Sequence, residues 1–120
     1  KIIINRNRSI DQCVGSISLK YWDHKYFNKM KKIKNDFLEI KSLGCIAFEY
    51  IDIIKSLRDF AILSKLSPWD HLPGILLLRE AGGFDSYFDN GNYNHCLEKK
   101  NLIVASNAQI GNKITLMIKE

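Results

Sequence analysis

Asp70 has the most evident chemical use of any side chain in the sequence. It lies in Leu66–Phe84, which reads L-S-P-W-D-H-L-P-G-I-L-L-L-R-E-A-G-G-F. Pro68 is excluded from a helix interior, Asp70 is a preferred N-cap and Pro73 is tolerated in a first turn, so a helix capped by Asp70 is predicted. Leu72, Ile75, Leu76 and Leu78 make that helix apolar, and Gly82-Gly83 ends it where a left-handed C-cap is needed. A carboxylate at a helix mouth has two uses. One oxygen accepts orphan backbone N–H bonds, while the other is open to a hard cation such as Mg²⁺, which prefers oxygen ligands. Capping alone accounts for most aspartates in this setting, so residue type and position leave both roles open.

The other reactive side chains are less directive. Gly44-Cys45-Ile46 opens a helix whose first N–H groups suit an anion or a substrate hydroxyl, and equally suit a plain helix start. Cys45 has no neighbouring base to activate it. His71 reads as a surface residue of a first helical turn, and His24 and His95 have no partner at metal-ligand spacing. Glu80 falls near a helix C-terminus, a poor place for an acid, which implies a basic partner such as Arg79. Cys13, Cys45 and Cys96 are odd in number and lack C-x-x-C spacing, so reduced thiols are expected in place of a zinc site or disulfide framework.

The elements that must position these residues alternate in type. Lys1–Ile4 and Cys13–Leu19 read as strands, Tyr26–Lys34 as an amphipathic helix with Tyr26, Phe27, Met30 and Ile33 on one face, and Phe37–Lys41 as a strand. After Gly44-Cys45 a helix follows, in which Ala47, Tyr50, Ile51 and Ile54 form the apolar series and Glu49, Asp52 and Lys55 the opposite side. Asp59–Leu63 is apolar enough to be a central strand. Beyond Gly83, Phe84–Phe88 is a strand, Asp89-Asn90-Gly91-Asn92 a turn, Leu102–Ala105 a buried strand, and Ser106-Asn107 the cap of a last helix from Ala108 to about Ile118. The alternation predicts an α/β layered sheet-and-helix domain spanning residues 1–120.

Composition narrows the function classes. A chain of 120 residues with 46% hydrophobic and 26% charged residues is one ordinary globular domain. No apolar run approaches the length of a membrane span and no signal-peptide pattern opens the chain, so cytoplasmic residence without a membrane partner is expected. Lys1-Ile2-Ile3-Ile4, without an initiator Met, reads as a chain entered part-way through. The formal charge of +5 is concentrated between Lys20 and Lys41, where Tyr21, Trp22, Tyr26 and Phe27 are interleaved. A solvated helix face explains that pattern better than a nucleic-acid platform.

The stretch P-W-D-H-L-P-G-I-L-L-L-R-E-A-G-G resembles the C-terminal signature of the inositol monophosphatase family, W-D-x-x-[AG]-G-x-x-[IL]-x-x-E-A-G-G, through Pro68, Trp69, Asp70, Gly74, Glu80, Ala81, Gly82 and Gly83. Gly44-Cys45-Ile46, Arg58-Asp59, Asp89-Asn90-Gly91 and Val104-Ala105-Ser106-Asn107 follow in the family's order, so the resemblance covers most of Gly15–Lys113. It implies the C-terminal half of an αβαβα layered phosphatase that hydrolyses a small phosphorylated metabolite, whether an inositol, sugar, histidinol or nucleotide phosphate. By the same resemblance Asp70 is a Mg²⁺ ligand, Gly44, Cys45 and Ile46 line the substrate pocket, and a homodimer is plausible. Leu63 stands seven residues before Asp70, where inositol-selective members carry a Glu that contacts a sugar hydroxyl. An apolar side chain cannot make that bond. Ser56-Leu57 replaces the family's usual glycine after the preceding helix, which implies a different turn.

The family's D-P-[IL]-D-G-[ST] motif and its early Glu are not in these residues. Phosphate hydrolysis on Mg²⁺ needs several converging carboxylates. The chain alone is therefore expected to have negligible activity and to need the missing N-terminal half of the same enzyme. A non-catalytic binding or assembly remnant is the alternative, and a basic nucleic-acid-binding module is a weaker one.

Overall fold

The computed structural model describes residues 8–18, 20–42 and 44–120, so the strand expected at Lys1–Ile4 lies outside them. Strand β1 (Val14–Ile17) pairs in parallel with β2 (Glu39–Ile40) on one side and with β3 (Phe60–Leu63) on the other. β3 then pairs antiparallel with β5 (Leu102–Ala105), and β5 with β4 (Phe84–Tyr87), which gives the order β2-β1-β3-β5-β4. β3 is the middle strand, and both it and β5 are buried at every residue. Their unbroken apolar runs follow from being covered on both faces.

The covering helices are α1 (His24–Ile33), α2 (Ile46–Ile54), α3 (Pro68–Glu80) and α4 (Ala108–Lys119). Because side chains alternate along a strand, Phe60, Ile62, Ile103 and Ala105 meet α1 and α4 through Met30, Ile33, Ile110 and Ile114. Ala61, Leu63, Leu102 and Val104 meet α2 and α3 through Tyr50, Ile53, Ile75 and Leu78. The expected layered α/β architecture is present. No helix among the described residues is long and apolar enough to cross a membrane.

Local sequence explains several boundaries. Asp23 caps α1 by accepting from the Tyr26 N–H at 3.0 Å, and Asn107 caps α4 by accepting from the Ile110 N–H at 2.9 Å. Asn90 (φ +74°) and Gly91 (φ +92°) form the tight turn after β4, and Gly82 (φ +85°) stops α3. Ser56 also takes a positive φ, +64°. Serine holds this left-handed conformation, which glycine adopts freely, at a cost of about 1 kcal/mol.

Several expectations about the helices need correction. Asp70 is not the cap of α3: the N-cap is Ser67, Pro68 is the first helical residue, and Asp70 lies in the first turn. Pro68 suits that place because its missing N–H would have no partner there. Pro73 consequently falls inside the helix, where its absent donor leaves a gap in the ladder. In α2 the buried face is Glu49, Tyr50 and Ile53, while Ala47 and Ile51 are exposed. On α1, Phe27 is largely exposed although Met30 and Ile33 are buried as expected. Glu80 is exposed at the end of α3, and Arg79 pairs with Asp85 in its place.

Candidate active site

A cleft of about 530 Å³ opens where the carboxyl ends of the parallel strands β1 and β3 meet the N-termini of α2 and α3. Ligands in α/β folds favour this end of the strands, and the unpaired N–H groups and dipoles of helix N-termini favour anions. Gly44 and Ile46 line the cleft from the start of α2, Leu63 from the end of β3, and Asp70 from the first turn of α3. The structure thus brings together four of the five site residues expected from sequence. The fifth, Cys45, is an exposed N-cap that makes no side-chain capping bond and is not among the lining residues.

Gly44 carries φ +72°, with nothing within 4 Å of where a Cβ would stand, so its conformation and not crowding calls for glycine. Gly74 has the opposite reason. A Cβ there would lie 2.5 Å from the Tyr50 ring, so the glycine allows α2 and α3 to pack closely and fixes their N-termini beside one another. This close approach explains the glycine of the signature physically.

Two lining residues differ from their sequence reading. Glu49, expected on the outer side of α2, is buried on the cleft side. His71, expected at the surface, is buried and shares a 3.0 Å hydrogen bond between its Nδ1 and the Tyr50 hydroxyl. Burial lowers the His71 pKa, against the opposing pull of the Asp70 carboxylate and the Lys65 carbonyl. Burial also raises the Tyr50 pKa, so this hydroxyl stays protonated and can donate to a neutral imidazole. A folded pKa below the unfolded value of 6.5 means that the unfolded chain binds the proton more readily. Stability is therefore full above about pH 6.5 and falls as the pH drops below it towards the folded value. Urea unfolding at pH 7.5 and 5.5 should show this loss in the natural chain and a smaller one in His71→Asn. Equal losses in both would exclude His71 as the source.

Asp70 lies exposed at the mouth of the cleft. Its N–H bonds the Ser67 carbonyl at 3.0 Å in the first turn. No group of three or more His, Cys, Asp or Glu side chains that could hold a metal ion occurs among the described residues. Mg²⁺ needs near-octahedral oxygen coordination. The described residues therefore do not fit a complete Mg²⁺ site.

These elements define a layered α/β domain with a cleft at its strand ends and helix mouths. The inositol monophosphatase family model matches residues 4–118. The chain belongs to the inositol monophosphatase family. It is 29% identical over 122 aligned positions to the fructose-1,6-bisphosphatase/inositol-1-monophosphatase of Thermotoga maritima, covering 100% of this chain and 45% of that protein. It is 33% identical over 85 positions to the Nus factor SuhB of Escherichia coli K12, covering 71% of this chain and 31% of that one. The crystal structure of the extragenic suppressor protein suhB from Bartonella henselae superposes with a TM-score of 0.82 at 25% identity, over 98% of this chain and 47% of that chain. The chain thus spans less than half the length of these relatives.

Proposed function

We propose that this chain is the C-terminal part of a Mg²⁺-dependent phosphomonoesterase, and that its share of the active site is the Asp70 cleft. The carrying observation is the position of Asp70. It holds an exposed carboxylate at the mouth of a cleft made by two strand ends and two helix N-termini. In hydrolysis, a water oxygen bonds to phosphorus as the P–O ester bond breaks, and the alcohol leaves with a proton. A divalent cation in such a site neutralises phosphate charge and acidifies water. This chain's own part is to give Asp70 oxygens to the cation, to offer the phosphate the N–H groups at the start of α2, and to exclude water with Leu63 and Ile46.

The remaining carboxylates come from the N-terminal half, and a hydrophobic surface supports that partner. Phe48 and Ile51 on α2, with Trp69, Leu76 and Leu77 on α3, are large apolar side chains left exposed, Trp69 by 79%. Exposed apolar groups on two packed neighbouring helices exceed what single scattered residues would explain.

Phosphate release from p-nitrophenyl phosphate tests the reading. Full-length enzyme with Mg²⁺ is expected to turn over, and the 120-residue chain alone to stay at background. Mg²⁺-dependent turnover by the short chain would overturn the shared site. A full-length protein inert towards every phosphomonoester would favour the non-catalytic remnant.

A further inference from the structure

Of the residues in the first turn of α3, Pro68, Trp69 and Asp70 are exposed and only His71 is buried. The backbone alone holds that turn weakly. The first N–H groups of a helix have no intrahelical acceptor, so the amides of Asp70 and His71 both turn back to the Ser67 carbonyl, at 3.0 Å and 3.1 Å. Pro73 supplies no N–H to the Trp69 carbonyl four residues earlier. A side chain must therefore fix what the backbone leaves loose, and neither Trp69 nor Asp70, out in solvent, can do so.

His71 supplies the anchor. Its Nδ1 meets the Tyr50 hydroxyl at 3.0 Å, and the two rings cross edge to face at 82° with their centroids 5.9 Å apart. Tyr50 is itself fixed by packing: it lies in the core with Ile53, Ile75 and Leu78, and its ring fills the space above Gly74. A tyrosine hydroxyl that donates to Nδ1 leaves the proton of a neutral imidazole on Nε2. The Lys65 carbonyl, in the connection from β3 to α3, bears on the same ring. One imidazole thus bridges α2, the first turn of α3 and the end of β3, the three elements whose meeting forms the cleft mouth.

We propose that Tyr50 and His71 are positioning residues, whose hydrogen bond clasps the first turn of α3 to α2 and so fixes the direction in which the adjacent Asp70 carboxylate faces the cleft. The inference rests on the cleft being the site of phosphate release. Asp70 has no buried side-chain contact to hold it, so its place follows from the pinned residue next to it. Without the clasp the turn frays, as helix ends with few buried contacts do.

The test uses the full-length enzyme and two readouts: amide hydrogen exchange across residues 69–72, and steady-state phosphate release from p-nitrophenyl phosphate. Tyr50→Phe keeps the ring that packs on Gly74 and removes only the hydroxyl. It is expected to speed exchange of the Asp70 and His71 amides by about tenfold. It should also lower kcat by about tenfold with KM within about twofold, the size of effect one lost hydrogen bond gives. A fall in kcat and kcat/KM together marks lost alignment, whereas a rise in KM alone would mark lost binding. His71→Leu should match Tyr50→Phe, and the double variant, which leaves neither partner unpaired, should be no worse than either. His71→Asn sets an amide oxygen near the Nδ1 position and should retain most of the activity. Unchanged exchange in Tyr50→Phe, or faster exchange with kcat untouched, would overturn the proposal, as would fully additive losses in the double variant. If the parent enzyme releases no phosphate, the phosphatase reading fails, and the exchange difference alone still upholds the clasp.

Discussion

Asp70→Asn in the full-length enzyme should reduce Mg²⁺-dependent phosphate release by roughly 10²–10³-fold, corresponding to about 3–4 kcal/mol of lost cation-assisted stabilisation. The fold should barely notice. Asp70 is exposed and Ser67, not Asp70, occupies the N-cap, so no capping bond is lost. What remains is the attraction of a carboxylate to the positive end of α3, worth about 0.3–1 kcal/mol. The two effects are measured by phosphate release across a Mg²⁺ titration and by urea unfolding. Unchanged Mg²⁺ dependence would remove Asp70 from the cation site. A stability loss well above 1 kcal/mol would instead assign it a structural role.

The second large effect lies away from the cleft. Asp85 on β4 is buried and accepts two bonds from the Arg79 guanidinium, at 2.9 Å from Nε and 2.7 Å from one terminal nitrogen. It also accepts from the Tyr93 N–H at 2.8 Å, and Arg79 donates in turn to the Tyr93 carbonyl at 2.8 Å. One carboxylate thus ties the last turn of α3, the edge strand and the segment after the Asn90-Gly91 turn. Asp85→Ala leaves the buried Tyr93 N–H without its acceptor and Arg79 without its counter-charge. The Arg79 side chain is 38% exposed, so water compensates part of the loss. A destabilisation of about 3 kcal/mol is expected, read as a lower urea midpoint at unchanged slope. Asp85→Asn, which keeps one acceptor oxygen, should cost less. A loss under about 1 kcal/mol for Asp85→Ala would mean that the pair contributes little.

The sequence was most informative where local chemistry admits a single geometry. Asn90-Gly91 and Gly82 stand where positive φ is needed, Asn107 caps α4, and the continuous apolar run Phe60–Leu63 is the middle strand. It was ambiguous where two patterns fit equally. In α2, Ile46, Tyr50 and Ile53 form an apolar series as regular as Ala47, Tyr50, Ile51 and Ile54, because nearly every residue there is apolar. Tyr50 belongs to both, and what separates them is tertiary packing: Ile53 joins the core cluster with Tyr50, Ile75 and Leu78, while Ala47 and Ile51 are left exposed. That choice turns Glu49 into the cleft. His71 was misplaced for a related reason: its burial depends on reaching Tyr50, twenty-one positions earlier. At Asp70, both Ser67 and Asp70 are acceptable caps by type, and Pro68 decides in favour of the earlier start.

The cleft itself was partly legible. Leu63, Gly44, Ile46 and Asp70 stood out through the family signature, whereas Lys20, Tyr21 and Lys65, which also line it, carry no motif. Their shared location follows from β1 and β3 running parallel, which brings the two strand ends to one edge. A lysine just past each of two parallel neighbours is the signal that would have found them.

The most direct measurement is a crystal structure of the full-length enzyme with Mn²⁺ in place of Mg²⁺, located by anomalous scattering. The expected result is an ion on the order of 2 Å from a carboxylate oxygen of Asp70, its other ligands supplied by the N-terminal half. An ion bound by the N-terminal half alone, with the Asp70 carboxylate turned away and more than about 4 Å distant, beyond any coordination bond, would contradict it.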